Sequence, residues 1–150
     1  MSNSGVAGYI GGGDTPSLLD LVNKFAFPSD TRSNLATGLS SARNNMGGFA
    51  NKAVAGYFAG GGSIVSTVDK FAFPSDTRST LGTGLSGNRT DLGGMSNSTI
   101  AGYIGGGFDG STAVSTVDKF AFPADTRTTL ATGLSSAASS KQMMSNEGVL

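Results

Sequence analysis

Three Asp-x-Arg pairs are the first candidates for chemistry: Asp30 with Arg32, Asp76 with Arg78, and Asp125 with Arg127. A carboxylate beside a guanidinium can bind an anion or move a proton. Three identical copies of a catalytic pair would be odd, whereas three copies of a turn are expected. The pairs therefore read as Asx-type turns whose arginine is exposed or reaches a neighbouring unit. Glycine runs ending at Gly13, Gly62 and Gly107 invite a phosphate-cradle reading. That reading needs a following helix and usually a Lys-Ser/Thr, and here Asp14, Ser63 or Phe108 follows instead. Lys24, Lys70 and Lys119 sit mid-strand beside Asn23, Asp69 and Asp118, where pairing with a neighbouring unit or a stem lying along apolar surface is the plain account. Tyr9, Tyr57 and Tyr103 offer platforms for sugars, though packing with a bonded hydroxyl is the commoner use of such residues.

The chain has no histidine and no cysteine. The usual general base, the usual transition-metal ligands, thiolate chemistry and a disulfide framework are all missing, so neither an enzyme nor a cofactor is expected. Formal net charge is zero, and the ten Lys and Arg residues are scattered singly. That argues against nucleic acid and anionic membranes as partners, both of which want a positive excess. No stretch approaches the ~18 apolar residues of a membrane span, and the first residues lack the pattern of a signal peptide.

Residues that break the repeat are better candidates for binding, because repeat geometry does not explain them. They are Asp14 in the loop 14–20, Phe108 and Asp109 in the loop 108–112, and Arg43 and Arg89, whose equivalent in the third copy is Ala138. Such loops carry binding in repeat scaffolds. Asp14 and Asp109 are possible Ca²⁺ ligands, but one carboxylate per loop falls short of a dedicated site.

The elements that position these residues come from one unit of about 46–49 residues, present three times. Thr67–Ser86 and Thr116–Ser135 differ only at Ser75/Ala124, Ser79/Thr128 and Gly82/Ala131. Each unit predicts four short strands. The first surrounds Met46 to Ala50 and Leu92 to Met95; the second is Gly-Tyr-Ile/Phe. The third, Val-Asp-Lys-Phe-Ala-Phe, has apolar residues on both faces and is ended by Pro28, Pro74 or Pro123. The fourth is expected over Ser/Thr-x-Leu-x-Thr-Gly-Leu. No stretch has helical periodicity. An all-β fold follows, with four strands per repeat matching a propeller blade better than a solenoid or sandwich.

Tyr103-Ile-Gly-Gly-Gly-Phe-Asp-Gly-Ser111, then Val-Ser-Thr-Val-Asp-Lys-Phe and a Pro-x-Asp-Thr turn, resembles the kelch repeat. The resemblance recurs three times and covers nearly the whole chain. Two features depart from it: Leu35, Leu81 and Leu130 lie near the place of the kelch tryptophan, and Phe replaces the preceding Tyr. The particular flavour is similar to kelch-like proteins encoded by marine and cyanobacterial bacteriophages. The resemblance implies a β-propeller, and a virion location in a tail-fibre, receptor-binding or head-decoration protein facing the host; an extracellular or cell-surface setting is the alternative. A carbohydrate-binding propeller lectin is the competing function. Kelch-containing copper oxidases need His and Cys, which this chain lacks.

The phase of the repeat carries a further expectation. The single repeat domain 1–150 divides into blades at about 1–43, 44–89 and 90–138. Three blades fall short of the four to eight of a closed propeller. Residues 135–149 align without gaps on 40–54, so 139–150 reads as a first strand, carried by Lys141, Gln142, Met143 and Met144. Blade one is expected to lack a first strand of its own and to receive this one from a neighbouring subunit. Two chains would then form a six-bladed ring, or many a filament, since head-to-tail contacts either close or propagate. Met1–Val6 and Met144–Val149 are near-duplicates competing for one place. Partners beyond a second copy are expected among other virion proteins or a host-surface glycan.

Overall fold

The structure, a computed structural model, describes residues 1–3 and 5–140. The first blade holds β1 (Ser2–Asn3), β2 (Ala7–Gly11), β3 (Val22–Ala26) and β4 (Thr31–Asn34). The second holds β5 (Gly47–Asn51), β6 (Ala55–Ala59), β7 (Val68–Ala72) and β8 (Thr77–Thr80). The third holds β9 (Gly93–Asn97), β10 (Ala101–Gly105), β11 (Val117–Ala121) and β12 (Thr126–Thr129). Each is an antiparallel sheet whose strand order follows the chain, as in the blades of a propeller. There is no helix among the described residues.

Two expectations need correction. The fourth strand is Thr-Arg-Ser/Thr-Asn/Thr, beginning right after the Pro-x-Asp turn and sharing only its last two residues with the expected Ser/Thr-x-Leu-x-Thr-Gly-Leu. Thr31 and Arg32 pair with Ala26 and Phe25, which uses up the turn residues as strand. The chain then leaves the sheet, and the Leu39 amide donates to the Asp20 carbonyl at 2.7 Å, with equivalent bonds from Leu85 to Ser66 and from Leu134 to Ser115. Blade one also has a first strand of its own. β1 pairs Ser2 with Gly8 and Asn3 with Ala7, so the N-terminal copy of the duplicated segment holds that position. It is short, pairing at two positions where β5 and β9 each pair at five. The predicted inter-subunit strand, Lys141 to Met144, lies outside the described residues.

A single sheet has two faces and no interior, so burial must come from packing blades on one another. The core accordingly lies at the junctions. Ala7, Tyr9, Val22 and Leu39 of blade one bury against Phe58, Phe71 and Phe73 of blade two. Phe49, Tyr57, Val68 and Leu85 of blade two bury against Ile104 and Phe120 of blade three. Rings carry both contacts: Tyr9 stacks on Phe73 at 5.2 Å, and Phe49 on Phe120 at 5.3 Å.

β5 and β9 run side by side, and the Ala50 amide donates to Ser96 Oγ at 2.8 Å. A Cβ at Gly94 would overlap the Gly48 carbonyl and stand 2.7 Å from the Gly48 amide nitrogen. At Gly48, the same repeat position, the nearest atom would be 3.7 Å away. Gly94→Ala is therefore expected to cost about 1–3 kcal/mol through overpacking against backbone, and Gly48→Ala to be close to neutral by comparison. Equilibrium urea unfolding of the two variants checks this, and equal costs would refute the close approach of β5 and β9.

Candidate functional site: the blade junctions

Several of the residues singled out for chemistry meet at the joints between blades. The Pro-x-Asp turn places Asp76 and Asp125 in the left-handed region, with φ of 56° for each, a conformation Asp tolerates better than most residues. It turns the carboxylate towards the preceding blade. Asp76 Oδ1 accepts from the Tyr9 hydroxyl at 2.8 Å, and Oδ2 from Lys24 Nζ at 2.6 Å. One blade further on, Asp125 accepts from Tyr57 at 2.7 Å and from Lys70 at 2.6 Å. Each lysine also lies over its tyrosine ring, 5.6 Å and 5.7 Å from the centroid. Burial, aided by the hydrogen bond to the carboxylate and its charge, pushes both hydroxyls above the ordinary tyrosine value of 10.0. These Asp side chains thus serve the neighbouring blade and not their own turn, and Tyr9 and Tyr57 are too buried to stack on a sugar.

A second joint is fully buried. Asp69 on β7 and Asp118 on β11 are each 0% exposed. Asp69 Oδ2 accepts from the amide and hydroxyl of Ser40, each at 2.9 Å, and pairs with Arg43 Nη2. Its Oδ1 accepts from Thr80 at 2.8 Å, with Arg78 at 3.7 Å. Asp118 repeats the pattern with Ser86, Arg89, Thr129 and Arg127. Arg89 Nη1 adds bonds to the Gly106 and Thr116 carbonyls, at 2.9 and 3.0 Å. Burial lowers the pKa of both Arg43 and Arg89, while the partner aspartate raises it.

Arg43 and Arg89 are therefore not ligand-facing, contrary to expectation. They lie in the linkers after β4 and β8, and they anchor each linker in the next blade. The Asp-x-Arg arginines bridge strands of their own blade: Arg78 from β8 to β7, and Arg127 from β12 to β11.

Asp14, Phe108 and Asp109 lie where the sequence places them, in the loops after β2 and β10. Asp14 is exposed and accepts from Asn44 Nδ2 at 3.3 Å. Asp109 is exposed, and its Oδ1 caps the amides of Ser111 and Thr112, each at 2.8 Å. Those amides, Thr112 first, hold its carboxyl below the usual range. Phe108 is half-buried, exchanging backbone bonds with Thr90 at 2.9 and 3.0 Å. Among the described residues no three or more His, Cys, Asp or Glu side chains converge as a metal site.

Reasoning from sequence passed over the strongest sign of the buried joint. Where Asp69 and Asp118 stand, blade one has Asn23; where Arg43 and Arg89 stand, the last linker has Ala138. Acid and base are lost together.

No protein-family model matches the chain, and no curated protein matches it.

Proposed function

We propose that this chain is a non-enzymatic structural and binding scaffold, a kelch-like β-propeller completed by copies of itself into a six-bladed ring. It would serve as a bacteriophage virion component in a tail fibre, a receptor-binding protein or a head decoration. The observation that carries the reading is where the chemically capable side chains go. Tyr9, Tyr57, Arg43, Arg89, Asp69 and Asp118 are buried and bonded at blade junctions, spent on joining one repeat to the next.

Completion by another copy is supported by the edge of β2. β1 covers Ala7 and Gly8, and Met1 exchanges backbone bonds with Tyr9, at 2.9 and 3.2 Å. Beyond them a cleft of about 450 Å³ is lined by Ile10, Gly11, Asn45, Met46 and Phe58. In the repeat alignment Gln142 and Met143 correspond to Gly47 and Gly48 of β5, whose partners Ala59 and Phe58 correspond to Gly11 and Ile10. Ser140 already follows the series: its φ of 54° matches those of Asn45 and Asp91, 53° and 55°. Its amide donates to the Asp91 carbonyl at 2.9 Å, as Asp91 does to Asn45 at 3.0 Å.

Light scattering during size-exclusion chromatography is expected to give twice the 15.0 kDa mass of one chain, or a larger assembly. Mass spectrometry of purified virions is expected to find the chain. A stable monomer overturns self-completion, and absence from virions overturns the location.

A further inference from the structure

We propose that a second copy of this chain docks its blade one against blade three through a third edition of the internal junctions, latched by Asp30 of that copy on Tyr103 and Lys119. The inference rests on the self-association reading above and names the surfaces and residues that would make it. Every junction in the chain has one polarity. Tyrosine and lysine from one blade hold the turn aspartate of the next: Tyr9 and Lys24 hold Asp76, and Tyr57 and Lys70 hold Asp125.

Two sets of residues in that scheme stand open. Asp30 has the same left-handed turn, φ 53°, yet is exposed. At the other end Tyr103 and Lys119 are partly exposed and bond no carboxylate among the described residues, although Tyr57 in the same position is 0% exposed.

The apolar surface agrees. Among the described residues five large apolar side chains are exposed, and three of them, Val6, Val54 and Ile100, hold one repeated position at the hairpin tips. The other two, Ile10 at 62% and Phe27 at 44%, are peculiar to blade one. Their equivalents Phe58 and Phe73 are 6% and 8% exposed, buried against blade one. Ile10 and Phe27 thus belong to a face built for a preceding blade. Blade three offers the matching half: Leu134 is partly exposed where Leu39 and Leu85 are 4% and 6%.

The buried ion pair gives a third, independent match. In the docked arrangement the linker residue Ala138 would face Asn23 of the second copy, as Arg43 faces Asp69 and Arg89 faces Asp118. A linker lacking arginine would leave a buried aspartate unpaired, and a neutral asparagine removes that penalty. Ser135 remains to donate to Asn23, as Ser40 and Ser86 do to the aspartates. Charge, apolar surface and the paired loss all select a second copy in one orientation.

Sedimentation velocity on the whole chain tests this with Asp30→Lys and Lys119→Asp. Each variant alone places like charges at every junction and should weaken self-association roughly tenfold or more. An equimolar mixture of the two restores an opposite-charge pair at each junction, and should return association to near the wild-type level. Both positions lie on solvent-open faces, and circular dichroism confirms that each variant folds. Tyr103→Phe, which keeps the ring, is a milder second probe expected to weaken association several-fold. Wild-type assembly unaffected by the single changes would overturn the latch while leaving self-association intact. Weakened singles that fail to complement would overturn the head-to-tail polarity, and a monomeric wild type would overturn both readings.

Discussion

Arg89→Ala lowers the folding stability of this chain by about 3–5 kcal/mol, and adding Asp118→Asn recovers a large part of the loss. Asp118 is 0% exposed, and the Arg89 side chain is 3% exposed. Truncating the arginine leaves an ionised carboxylate in the interior, its remaining cation, Arg127, 3.7 Å away. The Gly106 carbonyl loses the arginine as a donor as well, while the Thr116 carbonyl keeps the Gly106 amide at 3.0 Å. Burying an unpaired charge costs far more than the pair itself contributes, so the single change is severe. Asparagine at 118 removes the charge while its oxygen still accepts from Ser86 or Thr129. The chain carries the same neutral combination as Asn23 and Ala138. Guanidinium unfolding of the two single variants and the double, analysed as a double-mutant cycle, measures the coupling. A loss below roughly 1 kcal/mol for Arg89→Ala would mean that the pair is not buried as described.

How much of this was legible beforehand depends on whether a signal is local. The glycine runs, Pro28, Pro74 and Pro123, and the recurring Phe-Ala-Phe mark three units of four strands, because turn chemistry and apolar patterning act over a few residues. The fourth strand was misplaced by a few residues. Thr-Arg-Ser looks like the rest of a turn until its pairing with Phe25 and Ala26 is known. Pairing of Lys24 and Lys70 with a neighbouring unit was legible, but the partners were not, since Tyr9 bonds Asp76, 67 residues along the chain, and no local pattern links them. Asp69 was read beside its sequence neighbour Lys70, yet successive residues of a strand point to opposite faces. Lys70 goes to Asp125 and Asp69 to Arg43. Arg43 and Arg89 stand out in the sequence because the third copy has Ala138, but both are buried at the junctions and do not face a ligand. The signal that would have placed them was joint variation inside one chain, Asp with Arg twice and Asn with Ala once.

The open face of blade one yields the second large effect. Phe25 and Phe120 hold the same place on the third strand, opposite Arg32 and Arg127 in the same register. Phe120 is 0% exposed, stacked on Phe49 with 22° between the rings. Its replacement by alanine empties the centre of a junction and should cost about 3–5 kcal/mol. Phe25 is partly exposed because no blade among the described residues covers its face. In dilute, dissociated protein Phe25→Ala should cost clearly less, on the order of 1–2 kcal/mol, because solvent already reaches the ring. At concentrations where the wild type assembles, the gap should narrow, because Phe25 would then be as buried as Phe120. Unfolding curves for both variants, taken across a range of protein concentration, separate the two cases. Equal costs in the dissociated chain would show that blade one has no open face, and the junction proposed there would fall with it.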